Sequence, residues 1–360
     1  MLETRKLIEI ISGKRHDPIA VLLRWGLGFL TPLYRVAIYW RNRRFDLDAK
    51  QFPHQRIKKA AVPVVSIGNI TTGGTGKTPL VIWVARLVRS KNLRVAVISR
   101  GYGAEIRGQR LSRNDEALEM ELRLPDVPHL QDPNRFHMAQ IAVEELESQV
   151  LLLDDGFQHR QLHRDLDIVL IDSLNPVGYG RLLPRGLLRE PLAGLQRADL
   201  VVLTRCNLVS AQTIKEIRER IIRYNGQVTI AQTWTRPKSW LQFDGREFPV
   251  DHLASSSVVA FCGIGNPEGF QKTLAELSLI VVDAKIFADH HNYSRDDLER
   301  ISAEARNAGV SALVCTHKDL VKVGCNQLNG LPVFALLIDV EFQSGQQEFE
   351  ATIIKTVTKS

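Results

Sequence analysis

The chain has 360 residues, 44% hydrophobic and 24% charged. That is the composition of a soluble globular protein long enough for two cores, which excludes a disordered or low-complexity chain. A formal charge of +7 favours polyanionic or membrane-surface partners in general, although neither a nucleic-acid partner nor a protein partner is expected. Cys206, Cys262, Cys315 and Cys325 show neither metal-ligand spacing nor a dense framework, which fits a reducing compartment and assigns them no role.

Residues 1–44 form an N-terminal segment whose stretch Pro18 to Trp40 reads PIAVLLRWGLGFLTPLYRVAIYW, followed by Arg41, Arg43 and Arg44. A spanning helix needs about 20 predominantly apolar residues. Here Arg24 and Arg35 interrupt the run, and Pro32 would kink it. No small-residue cleavage site follows, as a signal peptide would require. The pattern best fits an amphipathic helix on a membrane surface, with Trp25, Phe29, Tyr34, Tyr39 and Trp40 at the headgroup level and arginines toward anionic lipid. Burial on the protein's own core and a true span are the alternatives.

From residue 45 to 226 apolar β-branched runs alternate with helical stretches, the signature of a parallel sheet covered on both faces. Ligands of such sheets bind at the carboxyl ends of the strands. The first run leads into VVSIGNITTGGTGKTP, a strand that hands over to a helix through a glycine-rich turn. Backbone N–H groups of such a turn and the helix dipole behind them bind phosphate. Thr71, Thr72, Gly73, Gly74, Thr75, Gly76, Lys77 and Thr78 are the expected nucleotide-binding residues. Lys77 supplies charge to the terminal phosphates and the Thr78 hydroxyl is a ligand for Mg²⁺. The strict motif asks for glycine where this chain has Thr71, so the loop is a variant.

Ser99-Arg100-Gly101-Tyr102-Gly103 ends the next strand, where a guanidinium can meet phosphate and a ring a sugar or base; an ordinary turn reads equally well. LLLDDGFQH ends another strand in Asp154 and Asp155. Continued as a strand, the two point to opposite sides, and one of them is expected at the metal. Gln158 and His159 could reach the same cleft or form a capped turn. GRLLPRGLLREPL carries Arg181, Arg185 and Arg189 in an apolar setting, suited to an acyl or phosphate-bearing ligand if exposed and requiring partners if buried.

Residues 227–252 read as an extended two-segment linker turning at Asp244-Gly245. Residues 253–360 read as a second, smaller α/β domain. Within it FADHHNYSRDDL places Asp289, His290 and His291 ahead of a helix capped by Ser294. Adjacent histidines suggest a proton-handling or orienting role more than a metal site.

GNITTGGTGKTP, SRGYG, LLLDDGFQH, PRGLLREPL, GIGNPEGF and FADHHNYSRDDL, in this order, resemble the tetraacyldisaccharide 4′-kinase family of lipid A biosynthesis. The resemblance runs from the N-terminal apolar segment to about Lys322. It implies a P-loop kinase using ATP and Mg²⁺ and acting on an acylated disaccharide phosphate lipid at the cytoplasmic face of the inner membrane. Asp115 then matches the catalytic carboxylate, with Glu116 beside it and His291 or His290 as its partner. Arg135, Arg189 and Glu190 fall in the family's nucleotide- and substrate-facing cleft, and Arg100, Tyr102 and His159 join them. Asn114 replaces the family's glycine, Ala117 its usual proline, and His317 the glutamate of its Thr-Glu-Lys-Asp segment. A membrane-associated partitioning ATPase is the runner-up, but that class has lysine where Thr72 stands. No Asn-Lys-x-Asp of a GTPase occurs.

Overall fold

The computed structural model describes residues 2–51, 56–101, 115–289 and 291–358, and for 2–6, 51, 115 and 116 the backbone alone. In chain order its elements begin with α1 (Leu2–Ser12), α2 (Pro18–Gln51), β1 (Val64–Asn69), α3 (Lys77–Arg89), β2 (Val95–Ser99), α4 (Asp115–Arg123), β3 (His129–Gln131) and α5 (Arg135–Glu144). There follow β4 (Val150–Asp154), β5 (Leu166–Asp172), β6 (Leu200–Thr204), α6 (Ala211–Tyr224), β7 (Thr229–Leu241) and β8 (Glu247–Pro249). The last are β9 (Ser257–Cys262), α7 (Pro267–Ala275), β10 (Ile280–Ile286), α8 (Arg295–Asn307), β11 (Ala312–Thr316), α9 (His317–Val323), β12 (Gln327–Leu328), β13 (Leu331–Ser344) and α10 (Gln346–Val357).

The chain divides into two compact units. The first comprises residues 6–101, 123–234 and 340–358, with strand order β3-β2-β4-β1-β5-β6-β7, every neighbouring pair parallel. β1, β2, β4 and β6 are buried along their whole length, as continuous runs such as VLLLD and LVVLT require when helices cover both faces. Parallel pairing puts the ends of β1, β2, β4, β5 and β6 on one rim. All the motifs of this unit sit there.

The second unit comprises residues 2–5, 115–122 and 235–339. Its core is the parallel order β10-β9-β11-β13, with apolar clusters on both faces. The units divide differently from the expected domains. Residues 227–252, expected as two extended segments, contain the 13-residue strand β7 and the antiparallel strand β8, with the turn between them at Asp244-Gly245. The last residues return to the first unit. There Trp83 of α3 meets Phe342 and Phe349 at centroid distances of 4.8 and 5.8 Å, burying the Phe349 face of α10.

α2 runs unbroken through Pro32 and is long and apolar enough to cross a membrane. Its N-terminal half leaves large apolar side chains in the open, with Trp25 76%, Phe29 82% and Leu33 66% exposed. Arg24 donates to the carbonyls of Ile10 and Arg15, and Arg185 to that of Ile11, so both arginines cap the end of α1.

Candidate active site

The phosphate-binding loop of the first unit is shaped by backbone constraint. Gly73 and Gly76 have φ of +108° and +87°, a region glycine enters without strain, and Gly76 immediately precedes α3. The loop is held from both sides. The Thr72 N–H donates to the Leu187 carbonyl at 2.8 Å, while the carbonyls of Thr75 and Gly74 accept from Thr204 Oγ1 at 3.0 Å and Arg205 Nη2 at 2.7 Å. Arg205 is itself paired with Asp172. Asn69 Nδ2 donates to Thr75 Oγ1 at 3.0 Å, tying the strand end to the loop. The first amides of α3 have no intrahelical acceptor, which makes this end of the helix a place for an anion.

Lys77 opens α3, with Nζ 3.4 Å from Asn69 Oδ1 and 3.5 Å from Asp155 Oδ1. Pairing of β1 with β4 sets Ile67 opposite Asp154, which ends its strand. The next residue does not continue the strand: Asp155 has φ +50°, so the expected alternation of the two aspartates is replaced by a turn. Asp154 is buried, whereas Asp155 is partly exposed and accepts from Arg189 Nη1 on both oxygens at 2.8 and 2.7 Å. Burial raises the Asp155 pKa, but Lys77 and Arg189 outweigh it and the net direction is down. The group is therefore an anion set between cations.

Gln158 joins the loop to the Leu-Arg-Glu-Pro segment. Its Nε2 donates to the Asn69 carbonyl at 2.8 Å and to Glu190 Oε1 at 2.9 Å, and its Oε1 accepts from Arg189 at 3.4 Å. Buried Glu190 also accepts from Arg197 at 2.7 Å and Asn42 at 3.4 Å. From α2, Tyr34 donates to the Arg189 carbonyl at 2.7 Å and Arg41 to the Gln158 carbonyl. Arg135, at the start of α5 and 3% exposed, donates to the Asp155 carbonyl at 3.1 Å. His159 lies among these cations. Burial first, then Arg135, Arg164, Arg41 and Arg100, press its pKa down to about 3 and hold the ring neutral. So many fixed positive charges beside a helix N-terminus suit a polyphosphate.

Thr78 and Asp154, both buried, and Asp155 offer hard oxygen donors beside that helix end. Among the described residues no group of three or more His, Cys, Asp or Glu could hold a metal ion. One hydroxyl with two carboxylates fits Mg²⁺, which is held through one or two carboxylates together with substrate phosphates.

Of the expected residues, the loop from Thr71 to Thr78, Asp154, Asp155, Arg135, His159, Arg189 and Glu190 belong to this unit, and Arg100 lies exposed at the end of β2. Asp115 and Glu116 open α4 in the second unit, and their side chains lie outside the described residues, as do Tyr102, Asn114 and His290. His291 is in the second unit, with Nε2 3.0 Å from Asp297 Oδ2. Buried His317 has Nδ1 3.8 Å from Glu119 Oε1 of α4. Sequence reasoning missed Asn69, Thr204, Arg205, Asp172 and Asn42. Asn69 had a signal, a polar residue between an apolar strand and the glycine turn.

Comparison with known proteins adds the following. A family model described as tetraacyldisaccharide-1-P 4′-kinase matches residues 23–358. A tetraacyldisaccharide 4′-kinase of Halothermothrix orenii is 37% identical over 349 residues, covering 89% of this chain and 88% of its own. One of Syntrophus aciditrophicus is 36% identical over 365 residues, covering 95% of each. Among solved structures, the "apo" form of LpxK from Aquifex aeolicus in complex with ATP is 31% identical with a TM-score of 0.71, covering 93% of this chain and 99% of that one.

Proposed function

The chain belongs to the tetraacyldisaccharide-1-P 4′-kinase family, and from that premise we propose how it works. It transfers the γ-phosphoryl of ATP to the 4′-hydroxyl of a tetraacylated glucosamine disaccharide 1-phosphate, forming the lipid IVA type bisphosphate of lipid A biosynthesis. The observation that carries the site assignment is the convergence of Lys77, Arg189 and Asp155 at the N-terminus of α3.

Residues Thr71 to Thr78 cradle the nucleotide, with Lys77 against its terminal phosphates. Thr78 with Asp154 or Asp155 would hold Mg²⁺, which supplies charge neutralisation on the phosphate oxygens when bound. Phosphoryl transfer needs positioning and charge stabilisation more than covalent chemistry. Arg189 and Arg135 provide fixed cations, while Glu190 and Gln158 keep Arg189 and the loop in register. Asp115, at the start of α4, takes the proton of the attacking sugar hydroxyl, and a histidine of the Asp289-His290-His291 turn orients it. Arg100, Tyr102, Glu116 and His159 contact the disaccharide. His159, kept neutral, can donate or accept a hydrogen bond there.

The enzyme works peripherally at the cytoplasmic face of the inner membrane, with the exposed apolar face of α2 in the headgroup region. Tyr34 and Arg41 on the same helix touch the catalytic segment, which supports delivery of a lipid substrate from that surface.

The test uses γ-labelled ATP, Mg²⁺ and the tetraacyl disaccharide 1-phosphate in detergent micelles, with Lys77→Ala alongside. Label at the 4′ position, lost in the variant, is expected. Phosphate release without labelled lipid would instead mark an ATPase.

A further inference from the structure

Between β10 and α8 the side chains of Phe287, His291 and Tyr293 pack together, and Asp297 and Asp319 hold them from outside. The His291 ring stacks on Phe287 at 4.7 Å and 20°, and meets the Tyr293 ring edge-on at 5.0 Å. On α8, Asp297 Oδ2 faces His291 Nε2 at 3.0 Å while accepting from the Ser294 N–H and hydroxyl, and Asp297 Oδ1 accepts from Arg300 at 2.9 Å. Asp319 sits on the other side, fully buried in the first turn of α9. Its Oδ1 accepts from the Tyr293 hydroxyl at 2.8 Å and the Gly263 N–H at 2.9 Å, and its Oδ2 from the Thr316 hydroxyl.

Asp319 thereby joins the ends of β9 and β11 to this cluster. Gly263 is pressed against the same cluster: a Cβ there would lie 2.9 Å from the Ala288 carbonyl oxygen and 3.1 Å from His291 Cβ. A carboxylate wholly removed from water is costly unless every bond around it is made. One so placed, bonding a tyrosine hydroxyl whose ring packs on a histidine, fixes geometry rather than merely filling the core. A helix cap alone would need only the Thr316 contacts; the Tyr293 and Gly263 bonds are additional to it.

We propose that Asp319 is a positioning residue for phosphoryl transfer: through Tyr293 and Gly263 it locks His291 in place, with Asp297 fixing the His291 ring from α8. This rests on the reading that a histidine of the Asp289-His290-His291 turn serves the reaction. Asp319 itself touches neither substrate nor nucleotide; it acts through His291.

The experiment is a double-mutant cycle on the full-length protein in substrate micelles, with folding followed by circular dichroism and thermal unfolding. Asp319→Ala is expected to lower kcat on the order of 10²-fold with the KM for ATP within about twofold, as a misplaced catalytic group does. Asp319→Asn, which keeps an acceptor for Tyr293 and Gly263, should recover activity to within roughly fivefold of wild type. Tyr293→Phe, which removes a single hydroxyl, should lose about tenfold and serves as the test should Asp319→Ala fail to fold. In a His291→Ala background, Asp319→Ala should cost nothing more, since residues acting as one unit are not additive. Multiplying losses, or full activity in both Asp319→Ala and Tyr293→Phe beside a dead His291→Ala, would overturn the positioning role. Full activity in His290→Ala and in His291→Ala would overturn the underlying reading instead.

Discussion

Lys77 Nζ and Asp155 Oδ1 lie 3.5 Å apart, and Arg189 Nη1 donates to both oxygens of the same carboxylate at 2.8 and 2.7 Å. β1 and β4 are parallel neighbours, so a lysine one loop beyond β1 and an aspartate one residue beyond β4 must meet on the same rim. In the proposed site, the carboxylate holds two cations in place ahead of the nucleotide. An incoming polyphosphate then meets charges already oriented, and little reorganisation is left for the reaction itself.

Arg189→Ala removes one of those charges and leaves Asp155 its Lys77 partner. kcat/KM for transfer should fall on the order of 10²-fold, the scale for loss of one preorganised donor to developing charge. Steady-state kinetics on labelled ATP measure it. Unchanged kcat/KM would remove Arg189 from the transferred phosphate.

Arg197→Ala should act on stability. Arg197 pairs with Glu190, whose side chain is 2% exposed, and lies over the Phe157 ring at 4.6 Å. Removing it leaves a buried carboxylate with Gln158 and Asn42 alone. A loss of about 3 kcal/mol is expected, at the lower end for breaking a buried pair. A urea midpoint equal to wild type would contradict it.

The strand runs and the glycine turn made the first unit readable, because continuous β-branched segments and the Lys77-Thr78 spacing are local properties. What was hidden depends on distant residues. The return of α10 to α3 needs Trp83, Phe342 and Phe349 together, and nothing in the local pattern of residues 340–358 distinguishes one α/β unit from another. β7 read as two extended segments of a linker because its middle, Thr235 to Lys238, is only partly buried and lacks the apolar run of its neighbours. The opposite-facing aspartates failed at a single φ, that of Asp155. The depressed pKa of His159 comes from its burial first and then from arginines of four separate segments, which no spacing rule connects.

The exposed face of α2 makes a prediction about location. Replacing Trp25, Phe29 and Leu33 together by serine removes three large apolar side chains that are mostly in the open. At about 1 kcal/mol each in an interfacial setting, partitioning onto vesicles should fall on the order of 10²-fold. Flotation with phosphatidylglycerol-containing vesicles measures it, and unchanged recovery would sink the interfacial role of α2. Loss of binding only at high salt would shift the weight to the arginines instead.

His159 makes the last prediction, for stability against pH. Its folded pKa is about 3 against an ordinary value of 6.5, so between those values the unfolded chain binds a proton that the folded protein does not. Stability therefore rises with pH across this window and is lost as pH falls from 6.5 toward 3, with a slope of up to about 1.4 kcal/mol per pH unit. Asp155 has linkage of the same sign, but at lower pH. Its pKa is lowered from 3.8, so the stability it contributes is present above that value and is lost as pH falls through its folded pKa. The window from pH 6 to 4.5 isolates the histidine from that carboxylate. Urea midpoints taken across it should fall more steeply for wild type than for His159→Gln, whose amide cannot take up the proton. Parallel curves would mean that burial and the surrounding Arg135, Arg164, Arg41 and Arg100 do not hold the ring neutral.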